Sequence, residues 1–123
     1  MVDLIDTIVY AGRLKDKSAL RSSSSGGAFT ALSDFFLENG NAVVAAIYNY
    51  ENHTAEFQMI LNKNQRERAK GSKYMQSKPG YIYREAYNWL LENPEKELLF
   101  VGMGCQSDGF RKFSEIKGIR DQV

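Results

Sequence analysis

Apolar residues in the first forty positions alternate first at strand spacing and then at helix spacing. TIVYAGRL (7–14) is predicted to form a first strand, followed by a polar connection rich in Lys and Ser. In AFTALSDFFLENG (28–40) apolar residues recur every three or four positions, which predicts an amphipathic helix. Its apolar face consists of Phe29, Leu32, Phe36 and Leu37. Gly40 stands where helices commonly end in a left-handed cap.

Two apolar segments of strand length come next. NAVVAAIYNY (41–50) and AEFQMILN (55–62) flank the polar sequence ENHT, and this spacing predicts an antiparallel hairpin. His53, the single histidine, falls in the hairpin turn and is interpreted as an ordinary exposed side chain. The polar stretch 63–80 ends in Pro and Gly, so a short helix or turn that runs into an irregular loop is predicted.

The last third of the chain contains two more helical patterns and one buried strand. YIYREAYNWLLENPE (81–95) predicts a long helix that stops at Asn93-Pro94. Its apolar face consists of Tyr83, Tyr87, Leu90 and Leu91. ELLFVG (97–102) is a continuous apolar run, typical of a strand buried on both faces. SDGFRKFSEI (107–116) opens with two good N-cap residues and predicts a last helix, with Asp108 as cap and Glu115 on the helix surface.

These elements predict an α/β fold: a mixed sheet of about four strands with helices packed on it, in the order strand-helix-hairpin-helix-strand-helix. A length of 123 residues, 43% of them hydrophobic, suits a single α/β domain covering residues 1–123. KGIRDQV (117–123) resembles the approach to a further strand. We therefore interpret the chain as a fragment of a longer protein.

Charge and cysteine content exclude several classes of partner and site. Sixteen basic and fifteen acidic residues are mixed along the chain, which does not favour nucleic acid or an anionic membrane. No apolar run approaches membrane-spanning length and no secretory leader is evident, so a cytoplasmic protein is expected. The single cysteine, Cys105, excludes an internal disulfide and a metal or iron-sulfur site made from this chain's cysteines alone.

The stretch RSSSSGGAF (21–29) is a costly way to begin a helix. Gly26 and Gly27 in a first turn are unfavourable by roughly 2 kcal/mol together. A helix start has free N–H groups and a positive dipole end, and glycines let a ligand approach closely, so the stretch could bind phosphate or another anion. The alternative is that Ser24 or Ser25 is a simple N-cap in a flexible loop.

Two further stretches carry candidate chemistry. KGSKYMQS (70–77) combines lysines, small residues and an aromatic ring, which could hold a phosphate and flank a planar group, or could be a solvated loop. FVGMGCQSDGF (100–110) follows the buried strand, where open α/β sheets bind ligands. A thiol near a helix N-terminus can be reactive or ligate a metal, whereas a lone cysteine such as Cys105 is more often a small buried residue.

SSSSGGAF, GSKYMQS and FVGMGCQSDGF, in this order and at these separations, resemble the N-terminal half of the coenzyme F-420 hydrogenase/dehydrogenase beta-subunit family. Members show SSSGG before a helix, GSKYVQS in a mid-domain loop and GTPCQ after a strand. The resemblance spans about residues 9–113. This chain departs from the pattern at Met103-Gly104, where the family has Thr-Pro, and at Ser107-Asp108.

The resemblance implies a flavoprotein that uses FAD to pass electrons between iron-sulfur clusters and a deazaflavin or another acceptor. Its implied partners are an electron-donor or acceptor protein or the deazaflavin. Cys105 and Gln106 match the family's Cys-Gln and would lie near the redox centre, with Cys105 as one candidate cluster ligand. Cofactor-binding residues carried over by motif are Ser23, Ser24, Ser25, Gly26, Gly27, Gly71, Ser72, Lys73, Tyr74 and Ser77. An iron-sulfur cluster is implied only for the full-length protein, and the alternative is a non-catalytic remnant that binds a partner or a phosphate-bearing ligand.

Overall fold

Residues 7–123 are described by a computed structural model, and these residues form five α-helices and four strands. The helices are α1 (Lys17–Arg21), α2 (Ala28–Glu38), α3 (Lys63–Glu67), α4 (Ile82–Glu92) and α5 (Gly104–Lys117). The strands are β1 (Ala42–Asn49), β2 (Thr54–Ile60), β3 (Ser77–Lys78) and β4 (Leu98–Phe100). A short 3-10 turn, Arg120–Gln122, follows α5.

The four strands form one mixed sheet in the order β3-β2-β1-β4. β1 and β2 are the predicted antiparallel hairpin, with Val43 opposite Ile60. β4 runs parallel to β1 and β3 runs parallel to β2. The prediction of an α/β fold with a mixed sheet of about four strands is confirmed.

Helices cover both faces of the sheet, because alternate residues of β1 point to opposite sides. One core cluster joins β1 and β4 to α4, α5 and the C-terminal turn through Ala42, Val44, Ile82, Ala86, Leu90, Leu98, Phe110 and Ile119. The other consists of Val43, Ala45, Ile47, Ile60 and Ala69, with side chains of α2 packed against it. Since Leu98 belongs to the first cluster and Leu99 packs on the second, β4 is covered on both faces, as predicted.

The predicted first strand at 7–14 is wrong. Residues 7–13 are exposed and form no ladder, although Leu14 donates its N–H to the Gly26 carbonyl at 2.8 Å. Ile8 is 73% exposed and Val9 86%. In the sheet, β1 lies between β2 and β4, so residues 7–14 do not pair with β1. The fourth strand is instead β3, two residues within the segment predicted to be a loop.

The predicted start of the last helix is also wrong. α5 begins at Gly104, three residues before Ser107, because the Gln106 side chain accepts the Met103 N–H at 3.0 Å and so supplies the cap from inside the helix. Asp108 is not a cap: it lies within α5 and pairs with Arg111 and Lys112.

The C-terminal segment does not approach a strand. Gly118 adopts a left-handed conformation (φ 72°) and ends α5, and the next residues form the 3-10 turn. The ends of α2 and α4 agree better with prediction: Gly40 has φ 71° just after α2, and Asn93 is the C-cap of α4.

The predicted apolar faces of α2 and α4 are each right at three of four positions, since Phe29, Phe36 and Leu37 pack on one core cluster and Tyr83, Tyr87 and Leu90 on the other. Leu32 is 53% exposed and Leu91 56%, so neither belongs to the core. α2 instead buries Thr30 and Ser33, polar residues that periodicity alone would place outside. Within the described residues 7–123, no helix is long and apolar enough to cross a bilayer.

Candidate functional site

A cavity of about 400 Å³ lies where β4 ends, between the start of α2 and the loop 69–77. This is a size typical of small-molecule sites. Its apolar lining residues include Phe29, Ala45, Ala46, Phe57 and Val101. Of the residues predicted from motifs, the lining contains Ser23, Ser24, Gly27, Gly71, Ser72, Lys73, Ser77 and Gln106. The three motif stretches, far apart in sequence, therefore meet at one cavity.

Gly27, not a serine, is the N-cap of α2. It has φ 79°, and no side chain within the described part of the chain caps the helix start. The expectation of a simple Ser24 or Ser25 cap is therefore wrong. Ser25 itself adopts a left-handed φ of 52° in the turn closed by the Gly27 N–H and the Ser24 carbonyl at 3.1 Å.

The paired glycines are required by the chain segment that crosses them. A Cβ at Gly26 would lie 2.4 Å from the Gly12 carbonyl oxygen, and one at Gly27 would lie 2.4 Å from Leu14 Cδ1. Gly26 does not line the cavity, so packing against residues 12–14 explains why a glycine stands here despite its conformational cost. Gly27 makes room for Leu14 and, at the start of α2, also borders the cavity.

Ser23 is held by the fold rather than left free for a ligand. Its hydroxyl donates to the Ala19 carbonyl at 2.7 Å and lies 2.7 Å from the Thr30 hydroxyl. Because the single Ser23 proton is used on Ala19, Thr30 is the donor in the second bond. Ser24 lines the cavity with an exposed side chain and is better placed to meet a ligand.

Arg66 supports this region, and the sequence analysis did not single it out. The residue is 4% exposed, and Nη1 donates to the Thr30 carbonyl at 3.2 Å and to Ser33 Oγ at 3.1 Å. Nη2 lies 2.9 Å from Asp34 Oδ1, a contact with poor hydrogen-bond angles that acts as an ion pair. In the sequence, Arg66 is one arginine in a short polar segment, and such arginines are usually exposed. The sequence therefore did not distinguish it from a surface residue.

The two lysines of the GSKYMQS loop are engaged within the protein. Lys73 Nζ donates to the carbonyls of Ala69, Lys70 and Gly71 at 2.6, 3.1 and 3.0 Å. Burial lowers the pKa of Lys73 from its ordinary value. Lys70 pairs with Glu67 at 3.0 Å and donates to Ser22 Oγ. These ammonium groups therefore shape the loop, and neither is an unengaged phosphate ligand.

Tyr74 lies away from the cavity. It is 99% exposed and lines a neighbouring cleft of about 560 Å³, together with Tyr48 and Tyr50. The two depressions share lining residues 70–73 and Met75. A planar group held in the first cavity would not lie against the Tyr74 ring.

Gln106 connects the second and third motif stretches. Its Nε2 donates to Ser77 Oγ at 3.0 Å, while Oε1 accepts the Met103 N–H. Its carbonyl accepts the Tyr83 hydroxyl at 2.7 Å. Burial, followed by the nearby Cys105, raises the pKa of Tyr83, so this phenol stays a donor at neutral pH. Gln106 is therefore held in one orientation at the edge of the cavity.

Cys105 is exposed in the first turn of α5 and does not line the cavity, so its interpretation as a small buried residue is wrong. Within residues 7–123 no three His, Cys, Asp or Glu side chains are grouped to hold a metal ion. His53 is exposed as predicted, with Nδ1 3.1 Å from the Tyr48 hydroxyl.

Comparisons with known proteins agree with this fold. A chain of the F420-reducing [NiFe] hydrogenase complex from Methanosarcina barkeri, determined as a xenon derivative, superposes with a TM-score of 0.69 at 20% sequence identity. The match covers 90% of this chain and 39% of that one, so this chain spans about two fifths of the length of its structural neighbour. None of the curated proteins compared with the chain matches it significantly.

A family model gives the assignment at the level of sequence. The model described as coenzyme F420 hydrogenase/dehydrogenase, beta subunit N-term, matches residues 9–80, more than half of the chain. That range contains the serine-glycine helix start and the GSKYMQS loop, two of the three stretches that line the cavity. The chain therefore belongs to the family of N-terminal domains of coenzyme F420 hydrogenase/dehydrogenase beta subunits.

Proposed function

We propose that this chain is the N-terminal domain of a flavin-dependent oxidoreductase that binds FAD in the cavity at the end of β4. The complete protein would pass electrons between iron-sulfur clusters and a soluble acceptor, either a deazaflavin or an acceptor protein. Family membership supports a redox role. The observation that carries the proposal is the convergence of all three motif stretches on one cavity.

The residues present fit the ring portion of a flavin. Apolar side chains of Phe57, Val101 and Phe29 line the cavity, and Ser24 and Ser72 provide hydroxyls. Flavin sites combine such apolar walls with a few polar groups. FAD, when bound, would supply the capacity to accept and release electrons singly or in pairs.

Gly102 allows three neighbouring side chains to pack closely around it. A Cβ at Gly102 would lie 3.0 Å from Phe100, 3.2 Å from Gln106 Oε1 and 3.2 Å from Phe57. Any side chain at this position would therefore push against Phe57, Phe100 and Gln106. The uncapped start of α2 at Gly27 borders the same cavity and offers a positive dipole end for an anionic part of the cofactor.

An iron-sulfur cluster does not fit within this chain alone. Four-iron clusters use four cysteine ligands, and the chain has one, Cys105. The position of Cys105 at the exposed start of α5 supports a role as one ligand beside residues from elsewhere in a longer protein or a partner.

Flavin titration tests the proposal. The purified chain is titrated with FAD and with FMN, followed by flavin fluorescence and thermal melting. We expect saturable binding that raises the melting temperature, by mass action on the folded state. Ser24→Trp should weaken binding at least tenfold, because the indole would enter the cavity, whereas Ser18→Trp on the exposed surface of α1 is the control. Absence of saturable binding, or equal binding by both variants, contradicts the proposal.

The alternative function is a non-catalytic module that keeps the fold and binds a partner or a phosphate-bearing ligand. One observation favours it: Cys105 lies outside the cavity lining, next to the Met103-Gly104 departure from the family motif. The alternative expects no flavin affinity, so the same titration separates the two functions.

A further inference from the structure

The strand edge of β1 is left open inside the cavity. β1 extends to Asn49, but β4 pairs only with residues 42–44. The last bond of this ladder runs from the Val101 N–H to the Val44 carbonyl at 2.8 Å. In a strand, alternate residues direct their N–H and C=O groups to the same neighbour. Ala42 and Val44 bond to the β4 side, so the next residue facing that side is Ala46.

Gln106 is the reason that the ladder stops at this point. In a continued parallel ladder the Met103 N–H would bond to the Ala46 carbonyl. That N–H is instead donated to Gln106 Oε1 at 3.0 Å. Within residues 7–123, Ala46 has no backbone hydrogen bond on this side, and the residue is half-buried in the cavity lining.

The N–H donor and the C=O acceptor of Ala46 therefore lie side by side, in the plane of the sheet, at the apolar wall of the cavity. The Phe57 side chain, on the residue opposite Ala46 in β2, also lines this wall. Half-buried backbone groups gain from a partner that satisfies them. A phosphate could accept from the N–H but could not donate to the carbonyl, whereas a planar ring with adjacent N–H and C=O groups could do both.

We propose that the Ala46 peptide edge recognises the imide edge of a planar heterocycle, accepting from its ring N–H and donating to the neighbouring ring carbonyl. This deepens the proposed function and rests on it, because the pyrimidine end of a flavin carries such an imide. The contact places the ring beside Phe57 and leaves the ribityl chain and phosphates to the uncapped start of α2.

The closing experiment uses ligands that differ only at the imide. Riboflavin and N3-methylriboflavin are titrated against the unchanged protein, and the Ala46 amide is followed by two-dimensional NMR with hydrogen exchange. We expect N3-methylation to weaken binding about tenfold, the typical effect of losing one well-made hydrogen bond. Riboflavin should also slow exchange of the Ala46 amide proton.

A proline variant tests the protein side of the same contact. Ala46→Pro removes an N–H that no protein group accepts within the described part of the chain, so it is tolerated as at an edge strand. It should weaken riboflavin binding about tenfold as well. Tyr48→Pro, on the same open edge but outside the lining of this cavity, is the matched control.

The outcomes separate the two proposals. Equal affinity for the two riboflavins, with unchanged exchange at Ala46, overturns this inference and leaves the proposed function standing. Failure of both riboflavins to bind overturns the inference, and failure of FAD to bind in the flavin titration overturns the proposed function as well. If Ala46→Pro does not fold, the ligand pair and the exchange rate still decide the question in the unchanged protein.

Discussion

The Gln106 side-chain amide donates to the Ser77 hydroxyl across 3.0 Å and joins two motif segments that lie 29 residues apart. Ser77 is 7% exposed, so the bond is shielded from water. The same Gln106 side chain caps α5 through Met103. One residue therefore sets both where α5 begins and how β3 lies beside it.

This relationship predicts coupling between the two residues in a double-mutant cycle. Ser77→Ala, Gln106→Ala and the double variant are compared by urea unfolding. The expected coupling free energy is about 1 kcal/mol, the usual net value of one intramolecular hydrogen bond. The control cycle combines Ser77→Ala with Ser107→Ala, whose hydroxyl donates over 3.4 Å to Gly102 instead. Full additivity in the first cycle would contradict the prediction.

The two left-handed glycines at the cavity should differ in their tolerance of a side chain. Gly27→Ala meets both a φ of 79° and Leu14 Cδ1 at 2.4 Å, whereas Gly71→Ala meets a φ of 84° with only Ser24 Oγ at 4.0 Å. We expect Gly71→Ala to cost about 1–2 kcal/mol of unfolding free energy from the backbone alone, and Gly27→Ala to cost more. Chemical denaturation measures both.

Leu14 is the source of the additional cost at Gly27. Adding Leu14→Ala to Gly27→Ala removes the clashing side chain, so the two changes together should be less damaging than their sum. Equal costs for the two glycine variants would show that the contact with Leu14 is easily relieved.

Hydrophobic periodicity predicted the hairpin, the long helices and the buried β4, because each of these elements pairs a local pattern with enough apolar residues to bury. It failed for 7–14, where the residues have the composition of a strand but pair with no strand of the sheet. It also missed β3, because two residues carry no periodicity. Pairing within a sheet depends on distant segments, which a local pattern does not contain.

The motifs predicted which segments border the cavity but not what each side chain does there. Lys73 was expected to meet a ligand, yet its ammonium group bonds three carbonyls of its own loop. Gly26 was expected at the cofactor and instead lets residues 12–14 pass. Arg66 carried no recognisable pattern, because the groups it bonds lie 33 and 36 residues earlier in the sequence.

Replacing Arg66 should destabilise the fold. Arg66→Met removes the guanidinium donor that the Thr30 carbonyl and the Ser33 hydroxyl share, and these two groups keep their bond to each other. Asp34 keeps the longer contact to Lys63 at 3.8 Å. Asp34 is partly exposed, so the main loss is that of the buried hydrogen bonds, which typically costs about 1–3 kcal/mol. Urea unfolding measures the loss, and Arg68→Met on the exposed side of the same segment is the control. A cost similar to that of Arg68→Met would contradict the role assigned to Arg66.

The lowered pKa of Lys73 predicts a stability difference that depends on pH. Burial lowers this pKa below the ordinary value of 10.5, so between the two values the unfolded chain binds more protons than the folded one. Stability contributed by Lys73 therefore increases as pH rises through that window. Lys73→Met abolishes the titration, so the unfolding free energy of the unchanged protein minus that of the variant should increase as pH approaches 10.5.

Lys63 gives a control of opposite sign. Its hydrogen bond to Glu38 raises the pKa of this exposed lysine above 10.5, so its favourable contribution is complete below 10.5 and is lost as pH rises through the higher folded value. The corresponding difference for Lys63→Met should be level below 10.5 and decrease above it. Denaturant titrations of both variants at several alkaline pH values provide the comparison. If the two stability differences change with pH in the same direction, burial does not lower the pKa of Lys73.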